Sequence, residues 1–250
     1  MPTTKPDIDL QIKVVSTADE ARAAFEPMCQ AFGLQTRDGI FLGSNPGWET
    51  PVGRQKGAER LAARFAKTTT NRDGKPNTVF LLATAVDPAT GDRVVAGMAV
   101  WEQASVVPGC GDLPTENEGD DLGVSELYPD DPAQQRYWSA VMGAMHRQRW
   151  EAVRSRAAAS PPALMALDIC AVDPKYQGYG IGRRLVEWGL EEAKARGGLE
   201  SVTEASVMGR RVYLKLGFEQ DGPEIDFNMD GGAISNIPLP SLVFLRTKKP

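Results

Sequence analysis

Histidine is almost missing from this chain of 250 residues, with His146 its single example, and cysteine occurs three times, at Cys29, Cys110 and Cys170. Cysteines so few and so scattered do not make a disulfide framework, and no pair has the spacing of metal ligands. A metal site therefore lacks a supporting constellation, and a reduced intracellular setting is expected. No apolar run approaches the roughly 20 residues of a membrane span. The opening Met1-Pro2-Thr3-Thr4-Lys5-Pro6-Asp7 lacks the apolar centre of a signal peptide. The expectation is a soluble, cytoplasmic protein with no membrane partner. A surplus of positive charge is missing too: the formal net charge is -5, which argues against a nucleic-acid-binding module. What is present, 42% apolar and 24% charged residues, suffices for one sizeable globular core.

A local absence also stands out. Between Gln103 and Pro132 there is no lysine or arginine, whereas Asp112, Glu116, Glu118, Asp120, Asp121, Glu126, Asp130 and Asp131 all fall there. This stretch reads as a solvated acidic loop. After it, Trp138, Val141, Met142, Met145, Ala152 and Val153 recur near helical spacing, predicting an amphipathic helix over about Ala133 to Ala157. Its methionines and tryptophans should pack in the core and its arginines, Arg149 among them, should face solvent, with His146 exposed or partly packed. Loop and helix together suggest a single domain over 1–250 with an insertion at about 103–162.

Elsewhere the pattern predicts a strand at Leu10 to Val15, a helix from Ala21 to Phe32, a long loop from Gly33 to Val52 carrying Phe41 and Trp48, and a helix at about Gln55 to Lys67. Asn77 to Val86 and Arg93 to Glu102 flank the turn cluster Asp87 to Asp92 and read as an antiparallel hairpin. Later come strands at Leu164 to Val172 and Ser201 to Ala205, helices at Arg183 to Ala195 and about Val207 to Leu216, a strand near Glu224 to Met229, and a last β-prone segment, Ser241 to Arg246.

Chemistry concentrates at Gln177-Gly178-Tyr179-Gly180-Ile181-Gly182, a glycine-rich turn between a strand and a helix. The first N–H groups of a helix have no intrahelical partner and carry about half a positive charge, so they attract an anion such as phosphate. Glycine removes the side chains that would hold a phosphate off. The spacing excludes a mononucleotide P-loop, which needs Gly-Lys followed by Ser or Thr, and it does not match a dinucleotide fingerprint near the start of a parallel sheet. A nicotinamide-dependent oxidoreductase is disfavoured on both spacing and strand order.

The spacing Gln177, Gly180, Gly182 resembles the coenzyme A pyrophosphate motif of the GNAT (Gcn5-related N-acetyltransferase) superfamily. Val172-Asp173-Pro174-Lys175-Tyr176 is similar to the lead-in those enzymes use before their third helix. Val212-Tyr213-Leu214-Lys215-Leu216-Gly217-Phe218 is similar to their second signature, about thirty residues on. Glu204-Ala205-Ser206 with Gly209 and Tyr213 resembles a largely uncharacterised subgroup. The resemblance implies a mixed, mostly antiparallel α/β (α+β) sheet that splits between its fourth and fifth strands and is flanked by helices, with acetyl-CoA in the opening.

It also implies roles. The backbone from Gly178 through Tyr179, Gly180, Ile181 and Gly182 to Arg183 would hold the pyrophosphate, with Gln177 leading the loop and Arg183 or Arg184 as charge partners. The strand at Cys170, Ala171 and Val172 would run beside the pantetheine arm, the N–H of Cys170 polarising the thioester carbonyl. Cys170 itself reads as a small packing residue in preference to a nucleophile. Tyr213 would be the acid for the leaving thiolate, and Ser206 would cap the last helix and could also touch the cofactor. Deprotonating an alkylammonium of pKa about 10 costs about 4 kcal/mol at pH 7; Asp168 and Glu204, with Glu102 on a neighbouring strand, are the carboxylates nearest the expected centre. Where some relatives have a catalytic glutamate this chain has Ala166, so that mechanism is not transferable. The expected partner is a small-molecule amine, with Phe41, Trp48 and the stretch 227–239 in its pocket and the acidic loop as a source of attraction for a cation. The alternatives are a coenzyme A-binding regulatory module without turnover and a protein N-acetyltransferase.

Overall fold

A computed structural model describes residues 8–115, 123–228 and 237–247. Glu116, Glu118, Asp120 and Asp121 of the acidic stretch, the opening Met1 to Asp7, and Met229 at the end of an expected strand lie outside the described residues.

Alternating and continuous apolar runs build a seven-stranded sheet from β1 (Gln11–Val14), β2 (Thr78–Val86), β3 (Arg93–Ala104), β4 (Leu164–Val172), β5 (Glu200–Ser206), β6 (Glu219–Glu224) and β7 (Leu242–Arg246). Its order is β1-β2-β3-β4-β5-β7-β6. Each neighbouring pair is antiparallel except β4 and β5, which run parallel with Leu164 to Leu167 opposite Glu200 to Thr203. Beyond Leu167 the two strands part: β4 stays with β3 as far as Val172, and β5 stays with β7. This is the split that the resemblance implied, and the mixed sheet is that of the GNAT fold.

The helices are α1 (Ala18–Ala23), α2 (Phe25–Met28), α3 (Gly39–Ser44), α4 (Pro51–Ala66), α5 (Val124–Leu127), α6 (Pro132–Ser155), α7 (Ile181–Ala195) and α8 (Val207–Lys215). The expected first helix is broken: after α2 the chain widens into a π-helical stretch, Cys29–Gln35. The expected loop after it is largely helical, for Asp38 caps α3 through the N–H groups of Ile40 and Phe41, and Thr50 caps α4 with Pro51 at its first position. A π turn breaks the 3.6-residue period, which is why no period was visible there.

One sheet face, with Leu81, Trp101, Met165 and Leu167, packs on Leu185 and Val186 of α7 and Tyr213 of α8. The other, with Phe80, Leu82, Met98 and Val100, packs on Phe25, Met28 and Leu61 from α2 and α4. Ala152 and Val153 of α6 cover the far end of that second face against Leu164, Ala166, Val202 and Phe244. The strand expected near Glu224 to Met229 is replaced by β6, which starts just after Phe218. Its Gly222 and Pro223 obscure it in the sequence, and they are tolerated because β6 is an edge strand. Among the described residues no helix is long and apolar enough to cross a membrane.

Candidate functional site

The parting of β4 and β5 opens a cavity of about 620 Å³. Along it, among the described residues, β4 beyond Leu167 has no strand on its β5 side. An edge without a neighbouring strand is a template for an extended ligand. Cys170, Ala171 and Val172 line the cavity from β4 and Ser206 from the end of β5.

At one end the chain leaves β4 through a short 3-10 turn, Pro174–Tyr176, and enters α7. Gly178 and Gly180 take φ of +83° and +79°, a left-handed conformation that side-chain-bearing residues rarely adopt. Gly180 is the N-cap of α7 and no side chain caps this 15-residue helix. Gly180, Ile181, Gly182 and Arg183 all line the cavity, so the first turn of α7 presents its uncapped end there. The Gln177 side chain is held rather than free: its Nε2 donates to the Val172 carbonyl at 3.1 Å and to Gln35 Oε1 at 2.8 Å, and Gln35 Nε2 returns a bond to Gln177 Oε1 at 3.0 Å. The π-helical stretch is thereby tied to the glycine loop. Tyr179 packs against the core and does not line the cavity; Arg183 does, and pairs with Glu187.

In the middle stand Cys170 and Tyr213, facing one another from β4 and α8. The Tyr213 hydroxyl donates to the Cys170 sulfur, and burial, followed by the cysteine, raises its pKa well above the ordinary phenol value. Burial pushes the Cys170 thiol up to about 12, against the lowering effect of that bond, so it is no ready nucleophile. The Tyr213 ring lies back over the first turn of α8, where a Cβ at Gly209 would come within 2.6 Å of its Cε2. Ser206 caps α8 by accepting from the Gly209 N–H at 3.4 Å and lines the cavity as well.

Asp168 and Glu204 are not brought to this point. Val100 and Trp101 pair with Ile169 and Leu167, leaving Asp168 as the extra residue of a β-bulge. The bulge sets Cys170, two residues on, on one face of the sheet, while Asp168 follows Leu164 and Ala166 onto the opposite face, towards α4 and α6. There Arg64 Nη2 bonds Asp168 at 2.7 Å and Glu102 at 2.5 Å, and Arg149 Nη1 bonds Asp168 at 2.8 Å. Arg149 also grips Glu204 through Nε at 3.1 Å and through Nη2. Arg149 is 1% exposed, not the solvated arginine expected of α6. His146 is buried too, with Nε2 3.9 Å from Asp168 and its ring against Trp150. Burial alone would raise the Asp168 carboxyl, but Arg64 and then Arg149 hold it well below the ordinary range. Glu102 is raised by burial and then by the Asp168 charge. Phe41 and Trp48, expected at the acceptor pocket, are buried edge to face in the layer of α2 to α4 instead. Of the stretch 227–239, Leu239 reaches the cavity, Phe227 packs with it against Trp138, and 229–236 lie outside the described residues.

Residues 133–220 match the family profile described as an acetyltransferase (GNAT) domain. Over these residues the chain is similar to a GNAT domain. The match runs from α6 through the glycine loop to the start of β6. Among solved structures, arylalkylamine N-acetyltransferase 2 from Aedes aegypti aligns over 95% of this chain and 98% of its own with a TM-score of 0.55 at 17% identity. An agmatine N-acetyltransferase in its apo form aligns over 95% and 98% with a TM-score of 0.58 at 13% identity. A Drosophila melanogaster polyamine N-acetyltransferase that forms N-acetylagmatine gives 0.53 over 95% and 98%, also at 13%. At such identities the likeness is one of fold. A comparison with curated protein sequences found no match.

Around the cavity and the split, Gln35, Arg64 and Arg149 are the structurally important residues that the sequence left unmarked. Each acts across more than a hundred positions or from a helix read as peripheral, so no local spacing points to it. Asp38 was equally silent, in a segment read as loop.

Proposed function

We propose that the protein is an acetyl-CoA-dependent N-acetyltransferase that transfers acetyl directly to a primary amine of a small molecule. The observation that carries this reading is the single cavity shared by the uncapped start of α7, the unpaired edge of β4 and the Tyr213 hydroxyl. The residues present fit coenzyme A. Gly178 to Arg183 offer backbone N–H groups to the pyrophosphate, with Arg183 nearby as a cation. The free edge at Cys170 to Val172 suits the amide groups of the pantetheine arm, and the Cys170 N–H is suited to polarising a thioester carbonyl. When bound, acetyl-CoA supplies an acetyl group activated as a thioester.

Tyr213 keeps its proton at neutral pH because its pKa is raised, and it is the donor for the sulfur that leaves. The exposed Val207 and Met208 give the mouth an apolar wall. The fold neighbours named for arylalkylamines and agmatine agree with a small amine as acceptor.

The test is release of coenzyme A thiol from acetyl-CoA with a panel of small amines, for the wild type and Tyr213→Phe. The expected result is amine-dependent release that falls about 10²-fold or more in the variant, with acetyl-CoA affinity retained. Tight acetyl-CoA binding without turnover on any amine would sink the enzyme reading in favour of a coenzyme A-binding regulatory module.

A further inference from the structure

Of the five titratable residues among the described ones that line the cavity, Arg37, Asp38, Cys170, Arg183 and Tyr213, Asp38 is the single carboxylate. Its two hydrogen bonds, from the N–H groups of Ile40 at 3.0 Å and Phe41 at 3.1 Å, both go to Oδ1. Among the described residues no group bonds Oδ2, while the capping bonds fix the side chain's direction. The rival carboxylates are engaged elsewhere: Asp168, Glu204 and Glu102 are bound to Arg64 and Arg149 on the opposite side of β4.

We infer that Asp38 is the catalytic base that accepts the proton of the acceptor ammonium. This rests on the acetyltransferase reading. The N–H bond of the ammonium breaks and its proton goes to Oδ2 of Asp38; the freed nitrogen lone pair forms the new C–N bond. The C–S bond breaks, with its electrons going to sulfur, which takes the Tyr213 proton. Burial raises the Asp38 carboxyl above its ordinary value, against the bonds from Phe41 and then Ile40, making it a better base than a solvated aspartate. The groups around it do not compete for the proton near neutrality. Tyr128, whose hydroxyl donates to the Gly43 carbonyl, and Tyr137 beside it are raised by burial. Arg60 reaches the far end of α3 at Ser44 and Asn45. The Asp38 carboxylate also favours a cationic amine over a neutral nucleophile at this end of the cavity.

The experiment is the pH profile of kcat/KM for the wild type, Asp38→Asn and Asp38→Ser, with acetyl-CoA, agmatine as the amine, and thermal unfolding as a control. Both replacements still cap a helix, so α3 is retained. The wild type should show an acidic limb above the ordinary aspartate value of about 3.9 and a plateau beyond it. The variants should lose about 10²- to 10⁴-fold near neutrality. Their rate should instead follow the free-amine fraction, rising about tenfold per pH unit towards the amine's own value near 10. Folded variants that keep the wild-type rate or plateau would overturn the assignment of Asp38 alone. A wild type that acetylates no amine at any pH, agmatine or otherwise, overturns the acetyltransferase reading and the base with it.

Discussion

At residue 209 one added methyl group decides where the Tyr213 ring can lie. A Gly209→Ala side chain would stand 3.0 Å from the Tyr213 hydroxyl and closer still to the ring, so the phenol must move. Removing a helix glycine gains roughly 0.5–1 kcal/mol by itself. We therefore expect unchanged or slightly raised thermal stability with kcat lowered about tenfold or more, the low end of what a positioned acid contributes. Steady-state kinetics beside a melting curve separates the two, and an unaltered kcat would remove Tyr213 from the chemistry. Arg149 makes the opposite kind of contribution. Arg149→Met strands Glu204 without its buried cation and leaves Asp168 to Arg64 alone, and breaking such a buried pair costs about 3–5 kcal/mol. Urea unfolding should show that loss. The same network has a pH signature: Asp168 is held down in the folded state, so its contribution is present above the unfolded value near 3.9 and fades as pH falls below it. Tyr213 and Ser206 were legible because they sit in or beside a motif. Arg149 was not, because helical periodicity assigns a long cation to solvent unless its partners, on two distant strands, are known.

The elements divide similarly. The start of α7 could be read from glycine spacing because a left-handed N-cap and a close backbone approach admit few other residues. The π-helical stretch and α3 could not, since a π turn shifts every later side chain out of the 3.6-residue register. That stretch is what brings Gln35 to Gln177. The reciprocal amide pair is solvent-accessible, so its value is that of ordinary hydrogen bonds, about 0.5–1.5 kcal/mol each. Gln35→Ala should weaken coenzyme A binding by roughly 3- to 10-fold, at about 1.4 kcal/mol per factor of ten. Calorimetric titration tests this: an unchanged affinity would mean that the clasp does not hold the loop. The β4 bulge had no sequence signal, yet it puts Asp168 and Cys170, two positions apart, on opposite faces of the sheet.

At the scale of the molecule, the hairpin followed from strand runs, and the mixed sheet split between its fourth and fifth strands followed from the resemblance that two motifs carry. The part beyond their reach was the helical side. The helix expected as an inserted element, α6, covers the sheet end with Ala152 and Val153, supplies Arg149 and His146 beneath the split, and places Trp138 against the α3 side. The cavity thus has one side, the start of α7 and the β4 edge, written in local sequence, and another assembled from α3, the π-helical stretch and the segment near Leu239, which is a property of tertiary packing. The most direct test of the central claim is a crystal structure with coenzyme A bound. The account predicts the pyrophosphate on the N–H groups between Gly178 and Arg183, the pantetheine arm along Cys170 to Val172, and the sulfur beside Tyr213. Coenzyme A bound with its pyrophosphate away from α7, or its sulfur remote from Tyr213, would contradict it.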